Sequence, residues 1–179
     1  MSLETRFESM VMPQLDAAYN LARWITRNPH DADDVVQEAM LRAFRFFGDF
    51  RGTEVRPWLL AIVRNVAYTW LDKNRSSDTV EFDEMAIPGV EAERPYSSYS
   101  EQNPEVIVLQ SATSRLVNQA IEQLPVAYRE VIVMRELEEL SYKDIAAIAG
   151  IPIGTVMSRL ARGREMLRSS LEVRMRKAS

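Results

Sequence analysis

The residues best suited to recognition chemistry lie between Ser141 and Arg164, in the run SYKDIAAIAGIPIGTVMSRLARGR. The chemistry they suit is hydrogen bonding to base edges and phosphates rather than the making of bonds. Ser141 and Asp144 have the spacing of a capping box that opens a short helix. Gly150 stands where a tight turn between two helices needs a residue tolerant of positive φ. Thr155 is expected to cap the helix that follows. Ala146, Gly150 and Val156 give a small contact residue, a turn glycine and a branched apolar residue, the pattern of a helix-turn-helix. Ile145, Ile148, Ile151 and Leu160 supply its shared core. The second helix then presents Met157, Ser158, Ala161, Arg162 and Glu165 on its outer face, with Ser158 and Arg162 one turn apart. A recognition helix sets such residues against base edges in the major groove. One bidentate arginine–guanine pair gives about 1–3 kcal/mol of discrimination. Arg159, Arg164 and Arg168 are better placed for phosphates, which position a domain without reading sequence. The plain alternative is a helical hairpin in a bundle with solvated arginines. Capping, turn glycine, small contact residue and basic second helix agree on the helix-turn-helix.

Composition removes several other function classes. The chain has 179 residues, enough for one ordinary domain or two small ones. It has no cysteine, which excludes disulfides, thiol catalysis and thiolate metal sites. Its single histidine, His30, makes a histidine-based metal site or triad implausible. No catalytic constellation can be assembled, so neither an enzyme, a metal, a cofactor nor a small-molecule substrate is expected. No signal peptide and no apolar run of about 20 residues is visible, so the expectation is a cytoplasmic protein without membrane insertion. The net charge of −4 hides strong polarity. Residues 76–105 hold eight acids against Arg94, and residues 153–179 hold seven basic residues against Glu165 and Glu172. The basic C-terminus suits phosphates, or is an ordinary solvated helix end.

The elements that must position these residues read as all-α. Leu15, Ala18, Leu21, Ala22 and Ile25 have helical spacing, broken at Asn28-Pro29. Asp31 is expected to cap the next helix, with Asp33 and Asp34 in its first turn. That helix carries Val35, Val36, Ala39, Met40, Ala43, Phe44 and Phe47, and Gly48 is expected to end it. Pro57 opens a third helix through Leu71. Residues 76–104 hold Pro88, Gly89, Pro95 and Pro104 and no sustained periodicity, which predicts a flexible acidic linker. From Glu105 onward two more helical segments precede the helix-turn-helix, separated at Pro125. Two small helical domains, 1–75 and 105–179, follow from this pattern. The helix of DADDVVQEAMLRAFRFF, taken alone, is an amphipathic helix with acids at its positive end.

Taken together, three segments resemble the bacterial sigma factors of RNA polymerase, in the small extracytoplasmic-function group. DADDVVQEAMLRAF resembles that family's region 2.1–2.2 helix, and RPWLLAIVRNVAYTWLDKNR its regions 2.3–2.4. AIEQLPVAYREVIVMRELEELSYKDIAAIAGIPIGTVMSRLARGREMLR resembles the whole of region 4. The resemblance spans nearly the entire chain except the linker. It implies sigma region 2 in residues 1–75 and sigma region 4 in residues 105–179. It also implies that Asp34, Gln37, Glu38, Met40 and Phe44 dock on the clamp of the polymerase's largest subunit. Arg56, Arg64, Asn65, Tyr68, Thr69, Asp72, Lys73 and Arg75 fall where the family melts and reads the minus-ten element, with Tyr68 the candidate stacking platform. Arg51 lies there too as a phosphate candidate. Core packing is the expectation for Trp58 and Trp70, which sit on the apolar stripe.

Thr155, Met157, Ser158, Arg159, Arg162 and Arg164 fall on the face that reads the minus-thirty-five element. Relatives often carry a basic or bulky residue where this chain has Met157 or Ala161, so Ser158 and Arg162 carry the base reading. The linker lies where the family threads a segment toward the active-site channel, and its acids would mimic nucleic acid there or simply be solvated. The implied partners are core RNA polymerase, promoter DNA and an anti-sigma factor, wedged between two domains that the linker lets move. Two other functions fit parts of the pattern. A stand-alone helix-turn-helix regulator would bind an operator tightly without polymerase. A sigma-like decoy for an anti-sigma protein would not need its arginines.

Overall fold

The computed structural model describes residues 1–75 and 104–179. All regular structure among them is helical. The first half holds α1 (Leu3–Val11), α2 (Leu15–Thr26), α3 (Pro29–Phe46) and α4 (Val55–Arg75). The second holds α5 (Pro104–Glu122), α6 (Val126–Ile132), α7 (Tyr142–Ala149) and α8 (Ile153–Ala178). No single helix among the described residues is long and apolar enough to cross a membrane. The linker expectations, including the anchors in 76–103, lie outside the described residues.

In the first half, α2, α3 and α4 pack on one another, and α1 closes one side of them. Leu21, Ile25, Val35, Ala39, Ala43, Leu59, Leu60 and Val63 are fully buried. They recur at three- and four-residue intervals, so each helix turns one continuous apolar stripe inward. An aromatic cluster seals the far end. Phe47 meets Phe7 edge-on at 5.2 Å and lies parallel to Phe50 at 5.9 Å, and Phe50 abuts Trp58 at 5.0 Å. Such pairs add about 0.5–1.5 kcal/mol each beyond the area they bury. Trp58 and Trp70 are both packed against the core, as their place on the stripe predicts.

Three local expectations are corrected. The cap of α3 is Asn28, not Asp31: the Asn28 side chain accepts from His30 N at 2.9 Å and Asp31 N at 3.2 Å. Pro29 then occupies the first helical position, where its fixed φ and missing N–H cost nothing. Asp31 lies inside the helix, where burial and then Asp34 raise its carboxyl above the ordinary 3.8, against the pull of His30. Gly48 does not end α3 through positive φ. The helix stops at Phe46, and Gly48 lies within a 3-10 turn, Phe47–Asp49. Thr155 is not a cap either, because α8 begins at Ile153 with Pro152 before it. The chain also forms α1, where no helix was expected. Ser2 caps it, accepting from Thr5 N at 3.1 Å, and Phe7 and Val11 face the core.

The second half is built on α6, α7 and α8. Pro125 separates α5 from α6, and α6 runs into a π-helical turn, Val133–Leu137. Gly163 lets α8 approach α6 closely, since a Cβ there would meet Ile132 Cγ1 at 3.0 Å and Tyr128 Cβ at 3.6 Å. The two halves do not stand apart. A single apolar core runs through both, α4 packs on α7, and α2 packs on α6. The described halves therefore touch directly, and a partner wedged between them would have to part them.

Candidate nucleic-acid interface

The helix-turn-helix forms as its sequence dictates. Ser141 caps α7, its hydroxyl accepting from Asp144 N at 3.1 Å. Gly150 ends α7 at φ 66°, and its N–H donates to Ala146 O. That left-handed residue turns the chain through 100° into α8. Ile145, Ile148, Val156 and Leu160 are buried between the helices, and Ile151 is partly buried beside them. A helix held at both its start and its core presents a rigid outer face.

On that face Met157, Ser158, Ala161, Arg162 and Glu165 are all exposed, the set read from the periodicity. Met157 is 54% exposed, an apolar side chain with no core to serve. The Ser158 hydroxyl donates to Thr155 O at 3.1 Å, which leaves its lone pairs outward. Thr155 and Arg159 are half-buried at the edge of the strip. Arg164 is turned aside, paired with Glu136 through Nη2 at 2.7 Å. Its guanidinium is held above the ordinary value chiefly by that hydrogen bond. Both partners are about half exposed, so the pair contributes little and phosphate competes for the arginine readily.

The minus-ten candidates on α4 divide into two strips. Asn65, Thr69, Asp72 and Lys73 are exposed and follow helical spacing along one side. The Thr69 hydroxyl donates to the main-chain Asn65 O at 2.9 Å, which orients the Thr69 side chain. Arg64 and Tyr68 lie on the neighbouring strip and face the second half. Arg64 Nε and Nη2 donate to the two carboxylate oxygens of Glu130 at 2.7 and 3.0 Å. Glu130 is fully buried. Burial pulls the Arg64 guanidinium down, but the hydrogen bond and charge of Glu130 outweigh it and hold Arg64 above its ordinary value. The same guanidinium lies 4.1 Å over the Tyr68 ring. Burial, with the Glu130 charge adding to it, pushes the Tyr68 phenol far above its ordinary range. Its hydroxyl is buried without a hydrogen-bond partner.

Arg56, near the start of α4, is also taken by the second half. Its Nη2 donates to Glu138 Oε2 at 2.7 Å and to Glu138 O at 3.0 Å. Asn20 of α2 reaches the other oxygen of Glu138 at 3.5 Å. Arg51 instead donates to Gly48 O at 2.7 Å within its own turn. The Arg75 side chain lies outside the described residues.

The outer face of α3 carries the remaining candidates. Asp34, Gln37 and Glu38 are exposed, with Glu38 paired to Arg42 at 2.7 Å one turn on. Phe44 is 45% exposed while its ring meets Phe7 edge-on at 5.2 Å. Met40 is partly buried against the core. Leu41, 66% exposed, extends this face and was missed by the sequence reading. The available signal was an apolar residue off the core stripe. Arg129, Glu130 and Glu138 were missed as well. The signal for the first two was a charged pair set directly before the apolar run Val131–Met134.

The family model described as Sigma-70 region 2 matches residues 10–77, and that described as Sigma-70, region 4 matches residues 114–167. The RNA polymerase sigma-H factor of Pseudomonas aeruginosa is 33% identical, over 96% of this chain and 89% of its own length. The ECF RNA polymerase sigma factor SigE of Mycolicibacterium smegmatis is also 33% identical, over 92% of this chain, but the match spans only 61% of that longer protein. Among solved structures, the sigma factor RpoE of Bartonella quintana, in complex with the anti-sigma factor NepR, superposes with a TM-score of 0.69. It is 28% identical and the match covers 94% of this chain and 98% of that one.

Proposed function

Because the chain belongs to the extracytoplasmic-function group of sigma-70 factors, we propose that each of its two halves has one task in starting transcription. The chain binds core RNA polymerase and directs promoter-specific initiation, as a regulatory DNA-binding subunit without chemistry of its own, acting in the cytoplasm. Residues 1–75 form the region 2 domain and residues 105–179 the region 4 domain. The observation that carries the assignment is the conjunction of two matched regions, in family order, with an exposed base-reading face on α8.

Asp34, Gln37, Glu38, Met40 and Phe44 form the polymerase-docking face, to which Leu41 adds apolar area. Arg56, Arg64, Asn65, Tyr68, Thr69, Asp72, Lys73 and Arg75 serve the melted minus-ten strand. Splaying out a base costs a few kcal/mol, roughly what stacking on one aromatic ring returns. Ser158 and Arg162 read the minus-thirty-five duplex, with Thr155 and Met157 beside them and Arg159 and Arg164 on phosphates. An anti-sigma factor controls the chain, as the similar RpoE is found with NepR.

The test is reconstitution. Purified protein added to core polymerase should start transcripts at a cognate promoter mapped by run-off. Tight, specific binding of the free protein to the same promoter, with no gain from polymerase, would instead point to a stand-alone regulator.

A further inference from the structure

The strongest unexplained feature is an apolar strip on the outside of α8. Ile153, Met157 and Ala161 follow one another at four-residue intervals, and all three are exposed. Ile153 is 47% and Met157 54% exposed. The core contacts of the helix are made instead by Val156, Leu160 and Gly163. Gly154, Ser158 and Arg162 form a second exposed strip directly beside the first. A Cβ added at Gly154 would meet nothing within 4 Å, and Gly154 is not in the left-handed region. Neither packing nor backbone conformation therefore calls for glycine there. A bare backbone at that point lets the start of the helix approach a ligand closely. Arg159 borders the second strip, and Arg164 and Arg168 continue the first toward the C-terminus. These charges complement a phosphate backbone on either side of a base-reading surface.

We propose that the Ile153–Met157–Ala161 strip reads the C5-methyl groups of thymines in the minus-thirty-five element, which therefore carries A·T pairs beside the base pair read by Arg162. The inference rests on the function proposed above, and adds an apolar code to the polar contacts given there to Ser158 and Arg162. Thymine alone among the four bases presents a methyl group on its major-groove edge. An apolar side chain exposed to water gains by covering that methyl, whereas a purely hydrogen-bonding one gains nothing from it. The strip is continuous with the polar one, so the surface that meets Ser158 and Arg162 also meets Met157. Four residues of helix advance about 6 Å and base pairs stack about 3.4 Å apart, so Met157 and Ala161 span about two base-pair steps. Met157 carries most of the reading. Its unbranched thioether reaches farther than the methyl of Ala161 and adapts to the shape it meets.

Deoxyuridine in place of thymidine tests this directly, because it keeps every hydrogen-bonding group and removes only the methyl. The full chain, with core polymerase, is bound to promoter fragments carrying deoxyuridine at one A·T pair of the mapped minus-thirty-five element at a time. At one or more positions the replacement should weaken binding about fourfold, the worth of one buried methyl-sized group. Met157→Ala should bind the thymine fragment as weakly as the unaltered chain binds the uracil one, and should no longer distinguish the two. Ile153→Ala makes the same test at the start of the strip. Full tolerance of deoxyuridine at every position would overturn the proposal. So would a loss at deoxyuridine that persists undiminished in both variants. A fall in polymerase affinity in Met157→Ala, with the methyl response retained, would assign the strip to a protein contact and overturn it as well. If no promoter yields a transcript with the chain, the sigma reading fails. The thymine–uracil comparison is then made on the duplex that the full-length protein selects from a random pool, and it decides the methyl reading by the same criteria.

Discussion

Arg129 is the residue whose loss should cost the fold most among its charged groups. It is 5% exposed, and its guanidinium donates to three main-chain carbonyls. Two belong to the α5–α6 turn: Glu122 O at 3.0 Å and Leu124 O at 2.9 Å. The third is Ile25 O at 3.2 Å, near the end of α2 in the other half. These are helix-end carbonyls without intrahelical partners, so Arg129 caps two helices at once. Burial, with Arg27 adding to it, pushes the guanidinium down to about 10 from 12.5, a penalty of about 3 kcal/mol on the charged form. The three charge-assisted bonds offset that penalty. In Arg129→Met the apolar stem survives, but both the penalty and the bonds vanish, leaving Leu124 O and Ile25 O buried and unpaired. At about 1–3 kcal/mol for each orphaned group, the expected loss is about 2–4 kcal/mol, a large part of a typical total of about 5–15 kcal/mol. Arg129→Lys keeps the charge without the fork, so it should fall between the two. Urea unfolding followed by far-ultraviolet circular dichroism measures this. Loss of the Ile25 contact should also weaken the coupling of the halves and lower the m-value or split the transition. A Met variant within about 0.5 kcal/mol of the original, with the same m-value, would refute the reasoning, because surface substitutions behave that way.

Three further outcomes are expected. Arg162→Ala should weaken transcription from the cognate promoter about tenfold or more while leaving polymerase binding intact, since one bidentate arginine–base contact is worth about 1–3 kcal/mol; equal loss at every minus-thirty-five sequence would assign it to phosphate instead. Gly150→Ala should lower stability by about 1–2 kcal/mol through backbone strain alone, because φ is 66° and nothing lies within 4 Å of the added Cβ; thermal melts of Ala and Asn variants check it, Asn being the milder. Glu38→Arg on the exposed face of α3 should weaken binding to core polymerase in a pull-down or fluorescence titration, with the helical spectrum unchanged, and the defect should shrink as salt rises.

The helix-turn-helix was legible because its determinants are local. Ser141, Gly150 and Leu160 each act within a few residues of their own position, and the outer face of α8 came out as read. The errors arose where several residues could do the same local job. Asn28, Asp31 and Thr155 are all good capping types, and the prolines decided between them: Pro29 and Pro152 fix where each helix begins. Leu41 was passed over because one apolar residue outside a stripe is usually mere surface. The cross-half contacts were illegible for a different reason. Arg64 and Glu130 are 66 residues apart, Arg56 and Glu138 82, and Arg129 and Ile25 104. No periodicity encodes a pairing at such separations, and each residue alone reads as an ordinary helix charge.

The two surfaces proposed to meet DNA therefore differ in kind. On the α8 face proposed to read duplex DNA, Ser158 and Arg162 are exposed in the packed arrangement. The α4 face proposed to hold a melted strand is only partly open, with Arg56 and Arg64 engaged across the contact and Arg64 lying over the Tyr68 ring. A duplex offers phosphates to either surface, but a melted strand needs arginine and ring together, the first to hold the backbone and the second to stack the base. If the proposed roles hold, the packed protein offers α8 to a duplex while two arginines of α4 are already engaged by carboxylates. Glu130 is fully buried, and an unpaired buried carboxylate is costly. Moving Arg64 away by itself is therefore unfavourable, whereas parting the whole interface hydrates both charges together.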